Sequence, residues 1–222
     1  MAKKLKVLKI VFDGAIRDHE LPAFRGAIAN KVPQHILFHN HLDDNRFRYK
    51  YPLIQYKRFG QHPGMICLGE GVEEIHHYFE QRDWSISISG RSLDLKIDQL
   101  DMNQVEVSLS DRSFTYDIRN WIAINQRSMP DYRALESLGD QIAYLERKLT
   151  GNILSFAKGI DWHVESEIQT KILEMGKTHT VRTKGVNLMG FNLLFRSNMF
   201  LPNDIGLGAR VSLGFGNIRR KK

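Results

Sequence analysis

Residues 5–33 read LKVLKIVFDGAIRDHELPAFRGAIANKVP. Leu8, Ile10 and Phe12 fall on one face of an extended chain, so the spacing predicts a strand that Asp13-Gly14 ends. The period then changes. Pro22 suits a first helical turn, Phe24, Ile28 and Val32 recur at helical spacing, and Pro33 stops the run. A strand leading into a helix marks an α+β chain, and the residues that follow decide its type.

Residues 36–59 are rich in aromatic and β-branched side chains and predict one or two strands. GMICLGEG (64–71) reads as a short strand and turn. VEEIHHYFEQR (72–82) puts Val72, Ile75 and Phe79 on one helical face. In SISISG (85–90), Ile86 and Ile88 alternate with serines as in a strand, and Leu93, Leu95 and Ile97 alternate with Asp94 and Lys96 as in another. The resulting order, β-α-β-β-α-β, is ferredoxin-like: a four-stranded antiparallel sheet covered on one face by two helices.

A second unit begins near Gln104, giving expected domains of 1–103 and 104–222. Val105, Val107 and Leu109 alternate with polar residues, as do Phe114, Tyr116 and Ile118, and the polar SDRS between them predicts a hairpin. A long helix is expected from Pro130 to Phe156, with Leu135, Leu138, Ile142, Leu145, Leu149 and Ile153 on its buried face and a break or bend at Gly151. Strands follow over 168–173, 178–186 and around Phe191, Leu193 and Phe195.

The chain has 222 residues, 42% hydrophobic and 26% charged, the composition of an ordinary globular protein. Its net charge of +7 favours polyanionic partners, nucleic acid before an anionic membrane. Cys67 is the single cysteine, which excludes an internal disulfide and a cysteine-based zinc site. The start, MAKKLKVLKIVFDG, lacks the apolar core of a signal peptide, and no apolar run approaches the ~20 residues of a membrane span. A soluble, cytoplasmic protein is expected.

LFHNHLDDNRFRYKYPLIQYK (37–57) carries the candidate chemistry. On an extended backbone His39 and His41 point the same way, because side chains repeat every second residue. Either suits proton transfer, since imidazole titrates near neutrality. Together with Asp43 and Asp44 they also have the elements of a metal site, though there is no third histidine at a usual interval and no HExxH; H-N-H here is not the HNH nuclease motif. A surface polar pair without chemistry is the third reading. Arg46, Arg48 and Lys50 alternate with Phe47, Tyr49 and Tyr51, giving one basic and one aromatic face. Lys57 and Arg58 extend the basic run, Arg25 and Lys31 lie on the first helix, and Arg182 and Lys184 alternate with threonines. These are the candidate phosphate contacts of a nucleic-acid partner, an ordinary amphipathic strand with solvated cations being the equal alternative for 46–51. His76-His77 reads as a solvated or partner-facing helix flank. His19, His35, His62, His163 and His179 carry no usable signal.

GLGARVSLGFG (206–216) has the pattern G-h-G-x-x-x-x-x-G-h-G, with Gly206, Gly208, Gly214 and Gly216 around Arg210. Glycines at this spacing admit positive φ and close backbone approach to a ligand, and exposed N–H groups then form an anion nest. A turn-rich hairpin is the structural alternative. The tail from Arg219 to Lys222 reads as a disordered cationic arm.

The glycine pattern resembles the hallmark of the RAMP superfamily. FRGAIANKVP, LFHNHL, RYKYPLIQYK, LGEGVE and LTGNILSFAKGI, taken in order with it, resemble one branch: the CRISPR-associated endoribonucleases of the Cas six family, b-type. The resemblance covers nearly the whole chain. It implies an α+β protein of two tandem ferredoxin-like (RRM-like) domains. It also implies cleavage of CRISPR repeat RNA into guide RNAs, without a metal or other cofactor. The RNA's 2′-hydroxyl would be the nucleophile, and the products a 2′,3′-cyclic phosphate and a 5′-hydroxyl. One of His39 and His41, His41 before His39 because it sits nearer the basic strand, would be the general base or acid and the other would assist, with Tyr49 orienting the phosphate or helping with proton transfer. An RNA-linked homodimer and membership of an effector complex are both compatible with it. So is a non-catalytic role, since other superfamily members only hold RNA.

Overall fold

The computed structural model describes residues 2–39, 41–43, 46–47, 50–183 and 185–221, with 41–43 and 46–47 described through their backbone alone. The chain falls into two compact units. One comprises Lys4–Val105 with Ser212–Gly214. The other comprises Met1–Lys3, Glu106–Val211 and Phe215–Lys222.

In the first unit, β1 (Lys3–Phe12) leads through a 3-10 turn to α1 (Leu21–Lys31), α2 (Ile36–His39), β2 (His41–Asp43), β3 (Arg46–Phe47), β4 (Ile54–Phe59) and β5 (His62–Leu68). Then come α3 (Glu70–Glu74), α4 (His76–Phe79), β6 (Ser85–Ile88), β7 (Arg91–Asp94) and the start of β8 (Ile97–Trp121). The main sheet runs β4-β5-β1-β8. With β4 and β5 as the central hairpin and β1 inside, this is the ferredoxin-like order expected from sequence. Leu8, Ile10 and Phe12 are buried against Phe24 and Ile28 of α1, as their periods require. Phe12, Phe24, Tyr56 and Tyr78 knit that core edge to face, with ring centroids 5.8 to 6.2 Å apart.

The second unit contains the rest of β8, then α5 (Met129–Arg133), α6 (Leu138–Gly159), β9 (Thr170–Met175), β10 (His179–Thr183), β11 (Val186–Phe200) and β12 (Asn217–Arg220). Its sheet places β11 between β8 and both β9 and β10, with β12 on the other side of β8. This is again the ferredoxin-like order, with α6 as its helix. Between β11 and β12, where a second helix would stand, the described residues form the glycine-rich segment and one 3-10 turn, Val211–Leu213. Leu145, Leu149, Ile153 and Phe156 of α6 are fully buried, as are Tyr116, Trp121, Phe191 and Phe195 of the sheet. The Tyr116 hydroxyl donates to Met199 O at 3.0 Å and accepts from Leu201 N at 2.9 Å.

Several expectations are corrected. Residues 36–59 are not one or two strands: among the described residues α2 precedes the paired β2 and β3, and β4 alone joins the main sheet. Buried Phe38 and its bond from Tyr56 tether α2 as one helical turn. Residues 72–82 do not form one helix, because α3 and α4 meet at Ile75. Among the described residues β6 and β7 pair with each other and not with the main sheet, whose fourth strand is the start of β8.

SDRS is not a turn either. β8 continues through it; Leu109 pairs with Met199 and Phe114 with Ser197, leaving 110–113 opposite Asn198 alone. The tetrad lacks the glycine or asparagine that a tight hairpin turn uses, and the ladder absorbs it as a bulge. The long helix starts at Leu138, where Ser137 Oγ caps it by accepting from Asp140 N at 3.0 Å. Leu138 is therefore exposed rather than buried, and Gly151 lies within α6 without breaking it. The basic tail is ordered through Arg220, as β12 paired with β8.

Candidate active site

His39 is the last residue of α2, and its position is fixed through the backbone. The Arg25 guanidinium of α1 donates from Nη2 to His39 O. One residue earlier, Tyr56 of β4 donates its hydroxyl to Phe38 O at 3.3 Å. Burial pushes the Tyr56 hydroxyl far above its usual range, so it stays a neutral donor. The His39 ring is half-buried, with Nε2 3.4 Å from Val32 O, a weak contact. His41 opens β2 and pairs with Phe47 of β3.

The two histidines thus do not share one strand face: one ends a helix and the other begins a strand, with Asn40 between them. Tyr49, Arg48 and Asp44 lie outside the described residues, as do the side chains of His41, Asp43 and Arg46. Sequence reasoning missed Tyr56 and the backbone role of Arg25. Tyr56 stands between Gln55 and Lys57 in the sequence, so no local pattern marked it.

The predicted RNA contacts divide. Lys50 and Arg182 are exposed, and Arg182 sits on β10 opposite Asn187 of β11. Lys184 lies outside the described residues. Lys31 is committed to Asp83, at 2.9 Å to the carboxylate and 3.0 Å to the carbonyl. Asp83 in turn is held well below the usual carboxylate range, first by the Ser85 hydroxyl and then by Lys31. Arg219 pairs with Asp204 at 2.9 Å. Lys57 is a correction: it is 2% exposed, inside the first unit rather than on an open basic face.

The glycine segment is also corrected in part. Its close approaches are to its own chain. A Cβ on Gly216 (φ +65°) would lie 1.8 Å from Leu207 O, and one on Gly208 (φ +94°) 2.7 Å from Trp121 Nε1. Gly206 packs on Val211 and the Phe215 carbonyl, and Gly214 on Leu21. Several N–H groups of the supposed nest are spent inside the fold: Leu207 N on Gly216 O at 2.9 Å, Ala209 N on Ile122 O at 3.0 Å and Gly216 N on Asn120 O at 3.1 Å. Arg210 is half-buried, with a left-handed backbone at φ +60°.

Two family models match the chain: the Cas6b N-terminal domain over residues 3–106 and the Cas6b C-terminal domain over residues 108–221. The chain is 38% identical over 103 residues to the uncharacterized protein MJ0978 of Methanocaldococcus jannaschii, a match covering 46% of this chain and 69% of that protein. A crystal structure of Cas6b superposes with a TM-score of 0.86 at 27% identity, covering 97% of this chain and 99% of that one. A crystal structure of the CRISPR RNA processing endoribonuclease Cas6b gives a TM-score of 0.74 at 23% identity over 99% of this chain and 100% of the other, a likeness of fold.

Proposed function

Because the chain belongs to the Cas6b family, we propose that it is an endoribonuclease that cuts CRISPR repeat RNA to make guide RNAs, with no metal ion in the chemistry. The match of both family domains, over 3–106 and 108–221, carries this reading. A histidine base takes the proton of the 2′-hydroxyl before the cut. The freed oxygen attacks the adjacent phosphorus, and a histidine acid protonates the departing 5′-oxygen. One P–O bond forms and one breaks, no water is consumed, and the products are a 2′,3′-cyclic phosphate and a 5′-hydroxyl.

His41 and His39 are the residues proposed for the two transfers, with Tyr49 orienting the phosphate. The tethering of the main chain at His39 by Arg25 and at Phe38 by Tyr56 supports the proposal, because a proton-transfer residue needs a fixed point of attachment. Exposed Lys50 and Arg182 are offered to phosphates, as a basic chain of net charge +7 suggests.

Among the described residues no helix is long and apolar enough to cross a membrane; a cytoplasmic location belongs to the proposal. So do two assemblies, an RNA-linked homodimer and a subunit of an effector complex, which the mass of the repeat-bound protein in solution distinguishes. A single 2′-deoxy nucleotide before the cut tests the chemistry. Intact repeat RNA is expected to yield a cyclic phosphate and the substituted RNA to stay whole; cutting of the substituted RNA would overturn the mechanism.

A further inference from the structure

The first unit brings together three metal-ligating side chains that the cleavage reaction does not use. His35 stands between α1 and α2, Glu74 ends α3, and His77 lies in α4. One ligand atom from each falls within 4.8 Å of the other two. His35 Nδ1 is 2.9 Å from Glu74 Oε1, and the His35 and His77 rings stack with centroids 3.8 Å apart. The side chains of His35 and Glu74 are about three-quarters covered, at 28% and 26% exposure.

We propose that His35, Glu74 and His77 form a binding site for a late first-row divalent ion of the Zn2+ class, with water in the fourth position. The donor set decides the class. Two imidazole nitrogens and one carboxylate oxygen suit Zn2+, whereas Ca2+ and Mg2+ take oxygen cages. Glu74 and His77 are spaced i, i+3 across the α3–α4 junction, which turns both toward His35. Glu80 approaches His77 Nδ1 at 3.6 Å. That leaves a carboxylate close to the His77 ring, placed to accept from whichever nitrogen does not face the ion once the ring has turned, the usual outer support of a metal-bound histidine.

Binding needs small adjustments. Tetrahedral ligands at Zn–N and Zn–O lengths stand about 3.4 Å apart. The His35–Glu74 contact therefore opens by about 0.5 Å, and the farther pairs close. The stacked His77 ring must turn about χ2, a broad torsion for histidine. The ion is architectural. It ties α3 and α4 to the loop from which α2 starts, one helical turn before His39.

The test uses the full chain, stripped with EDTA and desalted, titrated with ZnCl2 by calorimetry and with CoCl2 by visible absorption. The wild type is expected to bind one ion saturably, with a rise in melting temperature and the d–d bands of four-coordinate Co2+. His35→Ala and His77→Ala lose this event. Glu80→Gln weakens it about 10-fold. His76→Ala, on the neighbouring residue outside the cluster, binds as the wild type does. Circular dichroism establishes that each variant is folded. Absence of saturable binding in the wild type overturns the site, whatever the variants do. So does binding that survives both histidine substitutions, which would mark the cluster as a stacked, ion-paired patch.

Discussion

Arg25 Nη2, on the first helix of the chain, donates to the backbone carbonyl of His39, fourteen residues later at the end of α2. A guanidinium thus holds the main chain of the residue proposed for proton transfer. Arg25→Lys keeps the positive charge but loses the planar fork. Single-turnover cleavage is expected to fall about 10²-fold, the cost of a misplaced catalytic group. Affinity for 2′-deoxy repeat RNA, measured by filter binding, is expected to hold. A matching loss of affinity would make Arg25 a phosphate contact instead.

Gly216 and Gly151 separate two uses of glycine. At Gly216 the backbone is left-handed and a Cβ would strike Leu207 O at 1.8 Å. Gly216→Ala is expected to cost about 3 kcal/mol, combining strain and overpacking. Around Gly151, inside α6, a Cβ meets nothing within 4 Å. Gly151→Ala is expected to gain about 0.5–1 kcal/mol of helix propensity. Urea unfolding of both variants checks the opposite signs.

Much of this fold was legible because period and burial coincide. Leu8, Ile10, Phe12, Phe24 and Ile28 announce β1 and α1 from their spacing, and Leu145, Leu149 and Ile153 announce α6. What sequence could not give was set by pairing. SDRS looks like a turn until β11 runs past it, and the basic tail looks like a free arm until β12 adds to β8. The glycine pattern and the stretches before it together pointed to the family that the two models match, yet the close contacts of the glycines serve internal packing. His35 carried no signal and His77 read as a solvated or partner-facing helix flank, because the two lie 42 positions apart in sequence and meet through the fold. Residues 36–39 were read as strand from their composition, although Phe38 is pinned as part of one helical turn by a tyrosine from β4.

Glu20 gives a pH signature to the first unit. It is 5% exposed and accepts from Arg17 N at 2.8 Å and Arg91 Nη2 at 2.7 Å. The Arg17 N–H above all, with Arg91 assisting against burial, holds its carboxyl below the ordinary value of 4.5. The folded pKa lies below the unfolded one. The contribution is therefore complete above about pH 4.5 and is lost as pH falls through the folded value. Melting curves of wild type and Glu20→Gln are expected to differ most near neutrality and to converge as pH falls through the folded value. A gap that does not change with pH would contradict this.

Cleavage of repeat RNA in excess EDTA, by the wild type and by His39→Ala and His41→Ala, tests the central claim most directly. The account predicts that the wild type cuts in EDTA. Each alanine variant should lose about 10²–10⁴-fold in rate while binding the RNA as tightly. Wild-type rates in the double variant, or cutting that stops in EDTA and returns with added metal, would contradict it; tight binding with no cutting under any condition would mean that the chain holds RNA without processing it.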